Sequence, residues 1–173
     1  MNRPVLASAI VAALALCASA ASAAPNSKPP ATTPPACDAT GPVLFGLDVE
    51  PAPNLPTRQF RDKAFRLHDN GAWTYVETRD GKRLHDLAGC LTAQTTAAVR
   101  KRLALAGWKV TQAPIVCTIA PGWITRYSAS GKVVFTEAMC SGSTLDTRSR
   151  QILDQTIAEV TKLTAMDLTP RSP

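Results

Sequence analysis

The 173-residue chain predicts an α+β fold in which antiparallel strands are followed by helices. Three observations carry that expectation. Short stretches of alternating apolar and polar residues are separated by Asn-Gly, Asp-Gly and Ser-Gly pairs, which favour tight hairpin turns. Two longer stretches place apolar residues at helical spacing. The chain also resembles itself after fifty residues: Trp73 falls on Trp123, Gly81 on Gly131, Lys82 on Lys132 and Cys90 on Cys140, without a gap.

The elements follow in order. PVLFGLDVE (42–50) alternates with Val43, Phe45, Leu47 and Val49 on one face and reads as an extra N-terminal strand. PAPNLP is a loop. The first repeat, about 64–107, opens with the strand AFRLHD, turns at Asn70-Gly71, continues with AWTYVETR, turns at Asp80-Gly81 and returns with KRLHDLA. Glycine suits these turns because they need a positive φ, which a Cβ disfavours. A helix over 93–106 then follows, with Thr92 as N-cap, Gly107 past its end and Val99, Leu103 and Ala106 as its buried stripe. The second repeat, about 114–165, uses the same grammar: PIVCTI, WITRYSA and KVVFTEA, then a helix over 147–164. Its stripe is Ile152, Leu153, Ile157, Val160 and Leu163, and Asp146 or Ser143 caps it. The expected architecture is a tandem β-β-β-α repeat, disulfide-braced, in one domain over 42–168, with a disordered tail over 169–173.

Residues 1–23 read as a secretory signal: Arg3, an apolar run over 5–17 that is short for a bilayer span, then Ala21-Ser22-Ala23 as a cleavage site. Lipid attachment at Cys17 is disfavoured because Leu16 precedes it, where a small residue is needed. Residues 24–41 form a proline-rich spacer that cannot build a core. Cleavage removes one positive charge and takes the net charge from +6 to +5, with no transmembrane segment left in the mature chain. The expected location is periplasmic or extracellular.

Export leaves Cys37, Cys90, Cys117 and Cys140, an even set that reads as two disulfides. Economy of spacing favours Cys37–Cys90 with Cys117–Cys140. A flat meander conflicts with the second bridge. Its first and third strands lie about 9–10 Å apart, whereas bridged Cα atoms sit within about 7 Å. Either the strand order differs or the bridges link the two halves.

The residues that carry chemistry are sparse. His68-Asp69 and His85-Asp86 are the only histidines, each beside an aspartate, with no third histidine and no C-x-x-C pair to complete a metal set. No G-x-S-x-G elbow and no glycine-rich phosphate loop occurs. Ser141, Ser143 and Thr144 lie before a helix start, where capping explains them. Glu77, Asp86, Glu137 and Asp146 could supply a glycosidase pair, but no local pattern selects two of them. Arg100-Lys101-Arg102 is a short helical run without interleaved aromatics, so nucleic acid is not an expected partner. Trp73 and Trp123 are candidate partner-binding anchors, weighed against a core role.

These readings assign no catalytic residue, cofactor or metal. They point to an exported binding or inhibitor-like protein whose partner is another exported protein or an anionic envelope component. The alternative is a small cell-wall or polymer hydrolase working through scattered carboxylates.

Overall fold

The computed structural model describes residues 37–52, 61–114, 122–138 and 140–168. The signal, most of the spacer, the PIVCTI segment from Ile115 onward with Cys117, and the C-terminal tail lie outside the described residues. Ten elements follow in chain order: β1 (Val43–Pro51), β2 (Asp62–His68), β3 (Ala72–Arg79), β4 (Lys82–Cys90), α1 (Ala93–Ala104), β5 (Val110–Gln112), β6 (Trp123–Ala129), β7 (Lys132–Ala138), β8 (Ser143–Leu145) and α2 (Thr147–Thr164). The class is α+β, as the turn and helix patterns predict.

Six strands form one antiparallel sheet in the order β4-β3-β2-β1-β6-β7, and β5 pairs with β8 in a small second sheet. β1 is therefore internal, hydrogen-bonded to β2 on one side and β6 on the other. This corrects the expected second meander. β6 pairs with β7 on one side and with β1 on the other, so β1 stands where the meander expected the neighbouring strand.

Around β1 the sheet divides into two three-stranded halves, β2-β3-β4 and β1-β6-β7, which meet where Asp48 opposes Ala64. The fifty-residue offset carries β3 and β4 onto β6 and β7 in detail. Asp80-Gly81 turns with φ of 51° and 72°, and Ser130-Gly131 turns with 49° and 73°. One register slip falls at Glu77/Thr78 and the other at Tyr127/Ser128.

Alternation decides which side chains meet the helices. Phe45, Leu47, Phe65, Leu67, Tyr75, Tyr127 and Phe135 from the sheet pack with Val99 and Leu103 of α1 and Leu153, Ile157 and Val160 of α2. Among the described residues both helices lie on this face. The Thr92 hydroxyl accepts from the Thr95 N–H at the start of α1, and Asp146 accepts from the Arg148 and Ser149 N–H groups at the start of α2, as capping predicts.

Two helix details differ from expectation. α1 stops at Ala104, because the Leu105 and Ala106 N–H groups bond back three residues to the Arg102 and Leu103 carbonyls. Trp108 then takes the positive φ, its N–H held by the Ser149 hydroxyl at 2.9 Å. In α2 the stripe runs through Thr156 and Thr164, and Leu163 points outward at 45% exposure. The buried threonines return their hydroxyls to the Ile152 and Val160 carbonyls within the helix, so they enter the core without unsatisfied polar atoms.

Cys37 and Cys90 are bridged with their Cα atoms 5.8 Å apart, which ties the end of the spacer to the end of β4. Cys140 is disulfide-bonded as well. The Cys37–Cys90 bridge closes a loop of 53 residues. The double variant Cys37→Ser/Cys90→Ser is expected to lose about 2–4 kcal/mol, read as a lower midpoint in urea unfolding with a steeper slope as the unfolded chain expands.

Candidate functional site

The face of the sheet opposite the helices carries the polar partners of the core residues. Its centre is a groove of about 480 Å³ lined by Asp48, Glu50, Asp62, Arg66, Val76 and Arg126, among others. It lies where the two half-sheets meet. Gly46 makes the arrangement possible. It opposes Arg66 on β2 and Ser128 on β6, and a Cβ placed on it would fall 2.3 Å from the Ser128 hydroxyl and 3.4 Å from Arg66 Cδ. With no side chain there, the Arg66 stem crosses β1. Its Nη2 then reaches both Asp48 carboxylate oxygens, at 2.6 and 2.9 Å, while Nη1 donates to the Phe65 carbonyl at 2.8 Å.

Arg126, directly opposite Asp48 on β6, pairs diagonally with Glu50 at 2.5 Å. Asp62 accepts from the Thr78 hydroxyl at 3.2 Å. Cation and anion thus alternate across three adjacent strands. Cross-strand diagonals are within reach of such long side chains. The Arg66 and Asp48 side chains are each 33% exposed, so this pair adds at most about 1 kcal/mol. Its consequence is orientation: two guanidinium groups and two carboxylates are held in fixed positions facing solvent.

A second feature lies on the helix side. Glu77 is 5% exposed. It accepts from Arg61 Nη1 at 2.9 Å and from the Tyr75 hydroxyl at 3.1 Å. A parallel cluster stands in the other half, where Glu137 accepts from the Tyr127 hydroxyl at 3.0 Å and Arg150 Nη2 at 3.3 Å. Arg150 also sits over the Phe135 ring, 5.0 Å from its centroid. Burial and the adjacent carboxylate push both tyrosines well above the usual phenol range. Burial alone would raise Glu77, but the Arg61 and Tyr75 hydrogen bonds outweigh it and hold the carboxyl below its ordinary value. Both carboxylates are hydrogen-bonded and brace the sheet on its helix face.

The residues singled out from sequence are not gathered into one site. His68 Nδ1 donates to the Gly41 carbonyl at 3.0 Å, and the Asp69 backbone carbonyl accepts from Arg100 at 2.9 Å. His85 lies two strands away from His68, with Nε2 3.9 Å from Glu77, beyond hydrogen-bond range. Asp86 pairs with Arg83. Asp146 is the α2 cap, held low by the Ser149 hydroxyl and N–H. The Ser143 hydroxyl donates to Gln112 at 2.7 Å across the β5–β8 sheet, and the Ser141 hydroxyl accepts from the Ser143 N–H.

Trp73 lies over Gly89, where a Cβ would come within 2.6 Å of the indole, and stacks on Phe65 with centroids 6.4 Å apart. Trp123 is half-buried, opposite Pro51, and its indole Nε1 is buried without a hydrogen-bond partner among the described residues. The two tryptophans occupy rows six residues apart along β1, roughly 20 Å, so they share no surface. The groove residues Asp48, Glu50, Asp62, Arg66 and Arg126 escaped sequence reasoning. The signal available was charge at outward positions of strands that are otherwise apolar. Its meaning depends on which strands are neighbours.

Among the described residues, no group of three or more His, Cys, Asp or Glu side chains is placed to hold a metal ion. Within the same residues, no helix is long and apolar enough to cross a membrane. Comparison with protein-family models, curated proteins and solved structures returned no match.

Two measurements check this assignment of roles. Gly89→Ala is expected to displace the Trp73 ring, shift its fluorescence emission and cost about 1–3 kcal/mol. Because the Glu77 carboxyl lies below its ordinary 4.5 in the folded state, its contribution is complete above that pH and is lost as pH falls through the folded value. Glu77→Gln should therefore lower stability by about 1–3 kcal/mol at neutral pH and flatten the loss below pH 4.5, read from urea midpoints across pH.

Proposed function

We propose that this chain is an exported, non-catalytic binding or inhibitor-like protein that engages its partner through the groove at the centre of its open sheet face. The observation that carries the proposal is the alternation of Arg66, Asp48, Arg126 and Glu50 over β2, β1 and β6. Charges pinned by neighbours on a rigid sheet meet a partner with little ordering cost. Export is supported by the signal-like N-terminal pattern and by the Cys37–Cys90 bridge, since such bonds persist in oxidising compartments. The partner class is another exported protein or an anionic envelope component.

The internal repeat is proposed in a narrower form: a hairpin and its helix, β3-β4-α1 and β6-β7-α2, flank a central β1–β2 hairpin. Matching turns, register slips and face assignments at the offset of fifty support it.

A small polymer hydrolase is the second reading, favoured by three carboxylates, Asp48, Glu50 and Asp62, in one groove. Asp48 and Glu50 are clamped by arginines, an arrangement that suits positioned anions better than the proton donor a glycosidase requires. The two readings separate in one experiment. Immobilised protein should retain a specific envelope component, and Arg66→Ala/Arg126→Ala should weaken retention at least tenfold while unfolding within a few degrees of the parent. Turnover of purified wall polymer, lost in Asp62→Asn, would instead establish the hydrolase.

A further inference from the structure

β4 ends the sheet, and nothing described pairs with its outer edge. It is nine residues long and exposed from Lys82 to Ala88, with Leu84 and Leu87 at 42% and 38% exposure. The opposite edge differs, because β7 keeps Phe135 buried and is approached by β8. A long open edge is a template for strand addition unless something blunts it. The cationic blunting lies at one end, with Lys82 and Arg83, Arg79 across the turn and the register slip beside them. In mid-strand Asp86 turns its carboxylate back onto Arg83, and His85 flanks it. The other end presents Leu87, Ala88 and Gly89 until the Cys37–Cys90 bridge closes it.

We infer that β4 is a docking edge for an extended acidic segment of a partner protein, which joins the sheet as an antiparallel seventh strand. Every pairing in this sheet is antiparallel. The added strand would therefore place its first residues beside Leu87–Gly89 and its last beside Lys82 and Arg83. Its order is accordingly apolar first and acidic after. The cations that repel a basic strand favour an acidic one, which turns edge protection into selectivity. A second copy of this chain brings the same basic end and a net charge of +6 to the seam, and fits less well. The edge rests on the reading of the protein as a binding module but uses a surface distinct from the groove.

The test uses fluorescein-labelled nine-residue peptides and the oxidised mature chain. The first peptide has Thr-Val repeats in its first half and Glu-Val repeats in its second. The second reverses that order, and the third replaces glutamate with lysine. Anisotropy should show the first binding at least tenfold more tightly than the other two, with new hydrogen-exchange protection over residues 82–89. Lys82→Glu/Arg83→Glu should lose at least tenfold in affinity and keep its unfolding midpoint, while Arg66→Ala/Arg126→Ala should bind as the parent does. Equal affinity for the lysine peptide, or no protection at 82–89, overturns the inference. So does protection of the same residues by self-association without peptide. Loss of binding in the Arg66/Arg126 variant alone would move the site to the groove.

Discussion

The two-sided pairing of β1 is the constraint on which the rest depends. Its odd-numbered side chains, Phe45, Leu47 and Val49, are buried against the helices. Its two edges hold β2 and β6, and through them every other strand of the large sheet. An internal strand satisfies its backbone donors and acceptors on both sides. The last hairpin, β6-β7, reaches back some eighty residues to find it. Such a pairing is far less local than those of the half-sheet β2-β3-β4, whose strands are joined by two short turns.

The same strand sets the chemistry of the exposed face. Gly46 leaves the backbone bare, Arg66 lies across it, and Asp48 and Glu50 receive guanidinium groups from opposite directions. A side chain at position 46 would lift Arg66 away from Asp48, so backbone permissiveness at one residue governs electrostatics at four. The helix face follows another logic. There Glu77 and Glu137 are consumed by Arg61, Arg150 and two tyrosines. Carboxylates that look alike in sequence therefore divide into braces and presented charges.

Local patterns were legible where neighbours in sequence are neighbours in space. The Asp80-Gly81 and Ser130-Gly131 turns, the Thr92 and Asp146 caps, and the α2 bounds all follow from residues within one turn of each other. Strand order was not legible, because alternating apolar residues fit any adjacent strand equally well. The expected second meander failed for that reason, and the groove stayed hidden with it: a diagonal between Arg126 and Glu50 exists only once β6 lies beside β1. Leu163 misled because threonines whose hydroxyls bond within the helix can occupy core positions, which moves the α2 stripe onto Thr156 and Thr164.

The Cys37–Cys90 bridge also governs how the molecule bears load. A pull applied along the chain from the proline-rich segment enters at Cys37 and passes through the sulfur atoms to Cys90. The intervening chain, which contains β1, β2, β3 and nearly all of β4, carries no tension and cannot be drawn out while the bridge is intact. The central strand, with Asp48, Glu50 and Arg66, thus sits inside a covalent shunt, while Arg126 on β6 stays outside it, and the force path runs from the end of β4 into α1.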